Sequence, residues 1–301
     1  MNQDYPVIPN IRIEKREVMQ KIAFKPQHQD PPGFEWCMDP RPIFDYLGYV
    51  GSGKLVGKVA LITGGDSGIG REVAVAFAKE GADLSIVYLN EHRDAEETKQ
   101  YVEGLGVSCL LLPVDLRDSS TSESAIARTI EMYGHLNILV NNAAVQPYTR
   151  DIMDVSNEQL ENTFRTNVFP LFYMTKAALP YLKNGSSIIN TASRVAFEGE
   201  PKVIDYSATK GAIVSFTRTM AISLADQGIR VNAVAPGPIW TPLSISTYPA
   251  DQVATLGTDI PMGRAGQPFE IAPAYVNLAS NDSTYVTGQI IHINGGKIRY
   301  S

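Results

Sequence analysis

Short runs of apolar residues alternate with amphipathic segments along most of the chain. The first run, at residues 59–62, precedes a glycine-rich turn at residues 63–70. After the turn, Val73 and Phe77 recur at the spacing expected on the buried face of a helix. Gly81 then supplies a residue that tolerates the left-handed backbone conformation found at helix ends. The pattern predicts a buried strand, a tight turn and a helix in immediate succession.

The same succession recurs further along the chain. Additional strands are predicted at residues 84–89, 109–114, 136–140, 187–190 and 229–235. Helices are predicted at residues 94–104, 124–133, 158–182 and 206–227, with prolines at 170 and 180 as interruptions or helix starts. Regular alternation of strands and helices is typical of a parallel sheet covered by helices on both faces. We therefore predict an α/β fold with a doubly wound, Rossmann-type parallel sheet in one domain spanning residues 51–301.

Residues 1–50 follow neither a helical nor a strand period. They hold seven of the 19 prolines and a cluster of aromatic residues between 34 and 49. So many aromatic side chains are unusual for a solvated tail. We predict an irregular N-terminal arm that lies on a globular surface, either its own or that of a neighbouring subunit. A disordered leader is the alternative interpretation.

Composition and charge narrow the range of partners. A net charge of −6 and a pI near 5.3 argue against binding to nucleic acid or to an anionic membrane. Cys37 and Cys109 lie too far apart for a redox or metal motif, which favours a reducing compartment. The four histidines show no metal-ligand spacing, and the first residues lack the apolar core of a secretion signal. We predict a cytoplasmic protein without a metal, a membrane partner or a nucleic-acid partner.

The glycine-rich turn has the composition of a phosphate-binding site. Its sequence is TGGDSGIG, and the glycines at 64, 68 and 70 let backbone and ligand approach closely. The helix that follows presents unpaired N–H groups and the positive end of its dipole. Ligands of doubly wound sheets also bind beyond the carboxyl ends of the strands. The turn therefore predicts a site for a dinucleotide pyrophosphate, although an ordinary strand–helix turn has the same features.

A second group of residues has the chemistry of a proton-transfer site. Tyr206 and Lys210 lie four residues apart on one face of a predicted helix. A neighbouring ammonium favours the ionised phenol and lowers its pKa from a reference value of about 10. A phenol with a lowered pKa suits general acid or base catalysis at a carbonyl or an alcohol. Ser193, just beyond a predicted strand, has a hydroxyl that can donate to a developing oxyanion.

Together these motifs resemble the short-chain dehydrogenase/reductase family over about residues 55–298. The family's TGxxxGxG and YxxxK patterns fall at residues 63–70 and 206–210, and Ser193 lies thirteen positions before Tyr206. Its NNAG element appears at residues 141–144 with Ala144 in place of glycine, its PGxxxT element at 236–241, and its final strand at 290–296. The chain looks most similar to bacterial oxidoreductases that carry GGDSGIG and an N-terminal extension, some of them general stress proteins.

The resemblance implies roles for individual residues. The expected catalytic set is Asn167, Ser193, Tyr206 and Lys210. Tyr206 would exchange a proton with the substrate oxygen, and Ser193 would polarise the carbonyl. Lys210 would lower the pKa of the phenol and hold the nicotinamide ribose, while Asn167 would hold a water that links Lys210 to solvent. The expected cofactor-binding residues are Gly64, Asp66, Ser67, Gly68, Ile69, Gly70, Tyr88, Leu89, Asn90, Asp115, Leu116, Asn142, Ala143, Ala144, Thr191, Tyr206, Lys210, Pro236, Gly237, Ile239 and Thr241.

The cofactor preference depends on residues near the end of the second strand. Tyr88 to Glu91 read YLNE, which is neither a plain acid nor a plain base at the strand tip. Asp66 is acidic where phosphate-binding relatives often carry a basic residue, and a carboxylate repels a 2′-phosphate. We therefore favour NAD slightly over NADP.

The predicted function is hydride transfer between a nicotinamide cofactor and a small alcohol or carbonyl substrate. A carrier-bound 3-oxoacyl reductase is one alternative, which the acidic balance disfavours, and a catalytically silent dinucleotide-binding regulator is another. The residues expected to frame the substrate pocket are Gln146, Tyr148, Arg194, Phe197, Glu198 and Trp240. Residues 243–268, rich in proline and glycine, are predicted to form a mobile lid. The resemblance also implies a homotetramer built from the two long helices and the last strand.

Overall fold

Seven parallel strands form one sheet at the centre of the computed structural model, which describes residues 24–297. The strands are β1 Val59–Thr63, β2 Asp83–Tyr88, β3 Cys109–Pro113, β4 Ile138–Asn141, β5 Ser187–Thr191, β6 Arg230–Pro236 and β7 Ile290–Ile293. Their order across the sheet is β3-β2-β1-β4-β5-β6-β7, and every neighbouring pair is parallel. The strand order reverses between β1 and β4, which is the switch point at which such sheets bind ligands. The predicted doubly wound fold is confirmed.

Helices cover both faces of the sheet. They are α1 Gly68–Lys79, α2 His92–Gly104, α3 Ser119–Tyr133, α4 Asn157–Asn167, α5 Phe169–Ala178, α6 Val195–Glu198, α7 Ile204–Leu224, α8 Pro242–Thr247, α9 Ala250–Val253 and α10 Ala272–Ala279. Within residues 24–297, no helix is both long and apolar enough to cross a membrane.

The helical region predicted at residues 158–182 is divided into two helices, at the predicted interruption by Pro170. α4 ends at Asn167, and α5 begins at Phe169 with Pro170 in its first turn. Proline has no N–H to donate and its ring crowds the preceding turn, so it starts a helix more readily than it continues one. The break at Val168 therefore follows from Pro170.

The core explains why the strands read as continuous apolar runs. Every residue of β1 is buried. Ala60 and Ile62 pack in the same cluster as Phe77 of α1, whereas Val59 and Leu61 belong to a cluster on the other face. Successive side chains of a strand point to opposite faces, so a strand covered on both sides needs an apolar residue at each position. Each large side chain buried in this way contributes about 1.5–3 kcal/mol relative to exposure.

Residues 24–50 of the predicted arm lie along the sheet-and-helix domain of their own subunit. The Phe24 ring stacks on the Trp240 ring with centroids 3.7 Å apart. The Trp240 indole N–H donates to the Pro40 carbonyl at 2.9 Å. The arm also pairs its backbone with the segment predicted as a lid, since Phe24 N donates to Ala254 O at 3.0 Å and Gln29 N to Ile245 O at 3.2 Å. Residues 1–23 of the predicted arm, and residues 298–301, lie outside the described residues.

Candidate active site

A cleft of about 330 Å³ opens at the carboxyl ends of the central strands. Twenty of the residues predicted for catalysis or cofactor binding line it: Gly64, Asp66, Ser67, Gly68, Ile69, Tyr88, Leu89, Asp115, Leu116, Asn142, Ala143, Ala144, Thr191, Ser193, Tyr206, Lys210, Pro236, Gly237, Ile239 and Thr241. Gly70, Asn90 and Asn167 do not line it. The fold thus brings most of the predicted set to one cavity at the switch point.

The glycine turn is shaped by close backbone packing. Gly64 and Gly68 both have positive φ angles, of 61° and 53°, which residues with a side chain rarely adopt. A Cβ on Gly70 would lie 1.8 Å from the Gly64 carbonyl oxygen. Asn142 braces the turn from β4 by donating to the Gly64 carbonyl at 3.0 Å. Gly70 was predicted as a ligand contact, but in the structure its role is to let α1 pack against the turn.

Ser193, Tyr206 and Lys210 meet on the opposite wall of the cleft. β5 ends at Thr191 and places Ser193 beyond the sheet edge, while the first turns of α7 carry Tyr206 and Lys210. The Lys210 ammonium donates to the Thr191 carbonyl at 2.7 Å and lies 5.3 Å from the centre of the Tyr206 ring. All three side chains are buried but line the cavity.

Burial dominates the protonation of this pair. It raises the pKa of the Tyr206 phenol well above its ordinary value, against the opposing influence of the Ser193 hydroxyl and of the Arg194 charge. It lowers the pKa of the Lys210 ammonium to about 7. Burial therefore disfavours the charged form of both groups. Burial of the phenol opposes the predicted lowering of its pKa by Lys210, which stays a prediction.

Asn167 lies behind the cleft instead of on its wall. Its side-chain oxygen accepts from Val145 N at 2.8 Å, and its amide group donates to Val145 O at 2.8 Å and to the Thr209 hydroxyl at 3.1 Å. These bonds tie the loop after β4 to α7. The predicted role of Asn167 in holding a water stays a prediction.

The carboxyl groups of Asp66 and Glu91 lie at one end of the cleft, where it is bordered by the turns that follow β1 and β2. Glu91 lines the cleft although Asn90 does not, and its carboxylate accepts from Leu89 N at 3.2 Å and Asn90 N at 2.9 Å. Burial, together with the nearby Glu91 charge, raises the pKa of the Asp66 carboxyl to about 7. Glu91 is not among the cofactor-binding residues predicted from the sequence. An acidic residue three positions after the end of the strand was the signal that could have identified it.

The neighbouring corner of the cleft holds an arginine that the sequence did not single out. Arg117 binds the predicted Asp115 carboxylate through its Nε and Nη2 atoms, the latter at 2.6 Å. This hydrogen bonding lowers the pKa of Asp115. Arg117 also donates to the Asn162 side chain at 2.9 Å, so its charge is already balanced within the protein.

The expected substrate pocket is only partly correct. Gln146 and Arg194 line the cleft, whereas Tyr148, Phe197, Glu198 and Trp240 do not. Trp240 is fully buried beneath the arm. Tyr248, which was not singled out, lines the cleft and accepts a hydrogen bond from the Gln146 amide at 3.2 Å. Arg194 pairs with Glu198 and lies 3.7 Å from a Glu200 oxygen.

The residues present fit a nicotinamide dinucleotide. The turn offers backbone without side chains at Gly64 and Gly68, and Lys210 makes one hydrogen bond from an ammonium that has three donors. Among residues 24–297, no group of three His, Cys, Asp or Glu side chains could hold a metal ion. The cleft thus brings the glycine turn together with Ser193, Tyr206 and Lys210 at the carboxyl ends of the strands.

Comparison with known proteins connects this geometry to named relatives. A family model described as enoyl-(acyl carrier protein) reductase matches residues 64–297. General stress protein 39 of Bacillus subtilis is 57% identical over 265 residues, covering 88% of this chain and 93% of that protein. The chloroplastic NADPH-dependent aldehyde reductase 1 of Arabidopsis thaliana is 46% identical over 281 residues, covering 91% of this chain and 98% of that protein.

A solved structure shares the fold at lower identity. It is a short chain dehydrogenase from Burkholderia cenocepacia J2315 in complex with NADP, with a TM-score of 0.75 and 29% identity. The match covers 81% of this chain and 98% of that one.

Proposed function

The chain belongs to the short-chain dehydrogenase/reductase family and is an NAD(P)-dependent oxidoreductase, and from that premise we propose that Tyr206 is its general acid and base. The reaction is hydride transfer at a carbon that bears an alcohol or carbonyl oxygen. The observation that carries the assignment is the convergence of Ser193, Tyr206 and Lys210 on one wall of the cleft.

Tyr206 and Ser193 have different functions at the cleft. A bound nicotinamide supplies or accepts the hydride. Tyr206 holds the proton that the substrate oxygen gains in reduction, and burial keeps that proton on the phenol. Ser193 donates to the same oxygen and fixes its position, which stabilises negative charge as it develops.

Other residues hold the cofactor. The first turn of α1 would take the pyrophosphate through the backbone N–H of Ile69, beside the glycine turn. Lys210 would bind the nicotinamide ribose, and Ile239 and Thr241 would bind the carboxamide. These assignments are what the family resemblance implies, and the residues all line the cleft.

The substrate pocket favours a neutral polar molecule such as a small aldehyde or a polyol. Gln146 and Tyr248 offer an amide and a phenol, and the charge of Arg194 is already balanced by Glu198 and the nearby Glu200. An anionic substrate would have to compete with these carboxylates. The name of the aldehyde reductase relative agrees with this class.

A turnover screen tests the proposed function. Aldehydes, ketones, sugars and polyols are supplied with NAD(H) and NADP(H) side by side, and acyl thioesters form a separate arm. Turnover of thioesters alone would favour the carrier-bound acyl reductase that the family model's description suggests. Dinucleotide binding without turnover of any substrate would instead indicate a silent regulator.

The cofactor preference gives a first prediction. We expect NADH to bind more tightly than NADPH, because Asp66 and Glu91 both face the end of the cleft where a 2′-phosphate would add negative charge. Replacement of Glu91 by Gln removes one of these charges, and NADPH affinity should rise about fivefold while NADH affinity changes less. Fluorescence titration with both cofactors measures the two dissociation constants.

The matched control for this test is Glu103→Gln, the same change at an exposed position on α2. It should leave the ratio of the two dissociation constants unchanged. A wild-type protein that binds NADPH tenfold more tightly than NADH would contradict the proposed preference.

Assembly gives a second prediction. We infer a homotetramer from the apolar side chains left exposed on α5 and α7, where Phe172 is 53% and Ile222 82% exposed, and from the open sheet edge at β7. Phe172→Asp should dissociate the assembly because it places a charge in an apolar contact. Met153→Asp, at a residue that is 87% exposed outside these helices, should not.

Light scattering coupled to size exclusion measures both variants at micromolar concentration. A monomeric wild-type protein would refute the tetramer.

We also propose a cytoplasmic location and a function in the stress response, supported by the free thiols of Cys37 and Cys109 and by the similarity to a general stress protein.

A further inference from the structure

The N-terminal arm reaches the cofactor cleft directly. Pro32 and Gly33 line the cleft beside Gly68 and Pro242. The fit is close, since a Cβ on Gly33 would lie 2.9 Å from the Pro242 carbonyl oxygen. The arm therefore forms part of the cavity wall next to the glycine turn.

Two residues further along, Glu35 binds the turn itself. Its fully buried carboxylate accepts from Gly68 N at 2.7 Å and from the Arg71 guanidinium at 2.9 Å. Gly68 is the first residue of α1, and its N–H has no partner within the helix. The arm thus supplies a hydrogen-bond acceptor to a backbone group that lies between Ser67 and Ile69, two residues of the cleft wall.

Buried contacts fix Glu35 in place. The Asp94 carboxylate accepts from Glu35 N at 2.8 Å and from Trp36 N at 3.0 Å. Arg41 donates to Glu97 at 2.7 Å and lies 3.7 Å from a Glu35 oxygen. These contacts hold the backbone that carries Glu35 against α2.

The charges of Glu35 and Arg71 would not repel an anion bound at the glycine turn. Arg71 balances the Glu35 carboxylate, so the pair adds no net charge beside the turn. Glu35 occupies the Gly68 N–H, and the N–H groups of Gly64 and Gly65 donate to the Val87 carbonyl, so the Ile69 N–H in the first turn of α1 is left to a ligand. A bond between a carboxylate and a backbone N–H is also among the stronger hydrogen bonds in proteins.

We propose that Glu35 is a positioning residue for the dinucleotide, through which the N-terminal arm holds the glycine turn in its binding conformation. The proposal rests on the proposed function, which assigns the pyrophosphate to this turn. Glu35 contacts neither the reacting atoms nor the cleft itself; it acts through Gly68.

Glu35→Gln keeps the size of the side chain and removes its charge. We expect the dissociation constants of NADH and NADPH to rise about tenfold, because the turn loses a charged hydrogen bond. The KM for the cofactor should rise with them, while kcat at saturating cofactor and the KM for the substrate change less than about twofold. Asp39→Asn, which alters an exposed carboxylate of the same arm paired with Lys25, is the control and should change neither constant.

A milder variant covers the case in which Glu35→Gln fails to fold. Arg41→Gln loosens the arm at a half-exposed position and should raise the cofactor dissociation constants about two- to threefold. Unchanged cofactor affinity in the folded Glu35→Gln protein overturns the proposal, and unchanged affinity in Arg41→Gln does so if Glu35→Gln cannot be obtained. A wild-type protein that binds neither dinucleotide overturns the assignment of the cofactor site, and the proposal with it.

Discussion

Replacement of Tyr206 by phenylalanine is expected to lower kcat by a factor of about 10²–10⁴. The change removes the only atom of the side chain that can carry the transferred proton. It keeps the ring, which is buried against Val195 and Val203, so the fold should survive. The dissociation constant for NADH should change less than about twofold, because Lys210 and the glycine turn remain. Steady-state kinetics and fluorescence titration measure the two effects separately.

Tyr248 offers a matched control for this prediction. Its phenol also lines the cleft, and burial raises its pKa to about 12. Its oxygen is hydrogen bonded to Gln146, whereas the Tyr206 ring has the Lys210 side chain 5.3 Å from its centre. Tyr248→Phe should therefore affect the KM for the substrate more than kcat. A larger loss of kcat in Tyr248→Phe than in Tyr206→Phe would identify Tyr248 as the proton donor instead.

Replacement of Trp240 by alanine is expected to lower the free energy of unfolding by about 3–5 kcal/mol. The side chain is 0% exposed, stacks on Phe24 and donates to the Pro40 carbonyl. It also packs with Met38 and Ile245, so its removal leaves a cavity between the arm and α8. Urea unfolding at a fixed protein concentration measures the loss, since the concentration matters if subunits associate.

Trp36→Ala is the control for this cavity. Trp36 belongs to the same arm but is 40% exposed and stacks on the Arg93 guanidinium at 4.2 Å. An exposed contact of this kind contributes about 0.5–1 kcal/mol. If both tryptophan variants lose the same stability, the contact between the arm and Trp240 does not stabilise the fold.

Much of the fold could be predicted because local pattern and global packing agree. The apolar run at residues 59–62 requires burial on both faces, and only a sheet covered by helices on each side provides it. The tight glycine turn then limits the face of the sheet on which the next helix can pack. The proposed catalytic pair, Tyr206 and Lys210, could also be predicted, because one helical turn separates the two residues in sequence and in space.

The remaining features depend on contacts between distant parts of the chain. Glu35 and Gly68 are hydrogen bonded although no periodicity relates them. Trp240 is predicted to line the substrate pocket because its neighbours in sequence do so, but in the structure the arm covers it. The pKa of Tyr206 depends on how many atoms exclude water from the phenol, which a sequence pattern does not contain.

The bond between Glu35 and the glycine turn has a consequence for the evolution of the chain. If the arm only covered a surface, its sequence could change independently of the sequence of the domain beneath it. Here, loss of the carboxylate at Glu35 would remove the 2.9 Å ion pair of the buried Arg71 guanidinium and leave it the more distant Glu97 carboxylate at 3.7 Å. Positions 35, 71 and 94 are therefore expected to change together, and a chimaera that receives the arm of a distant homologue would need the matching partners on α1 and α2.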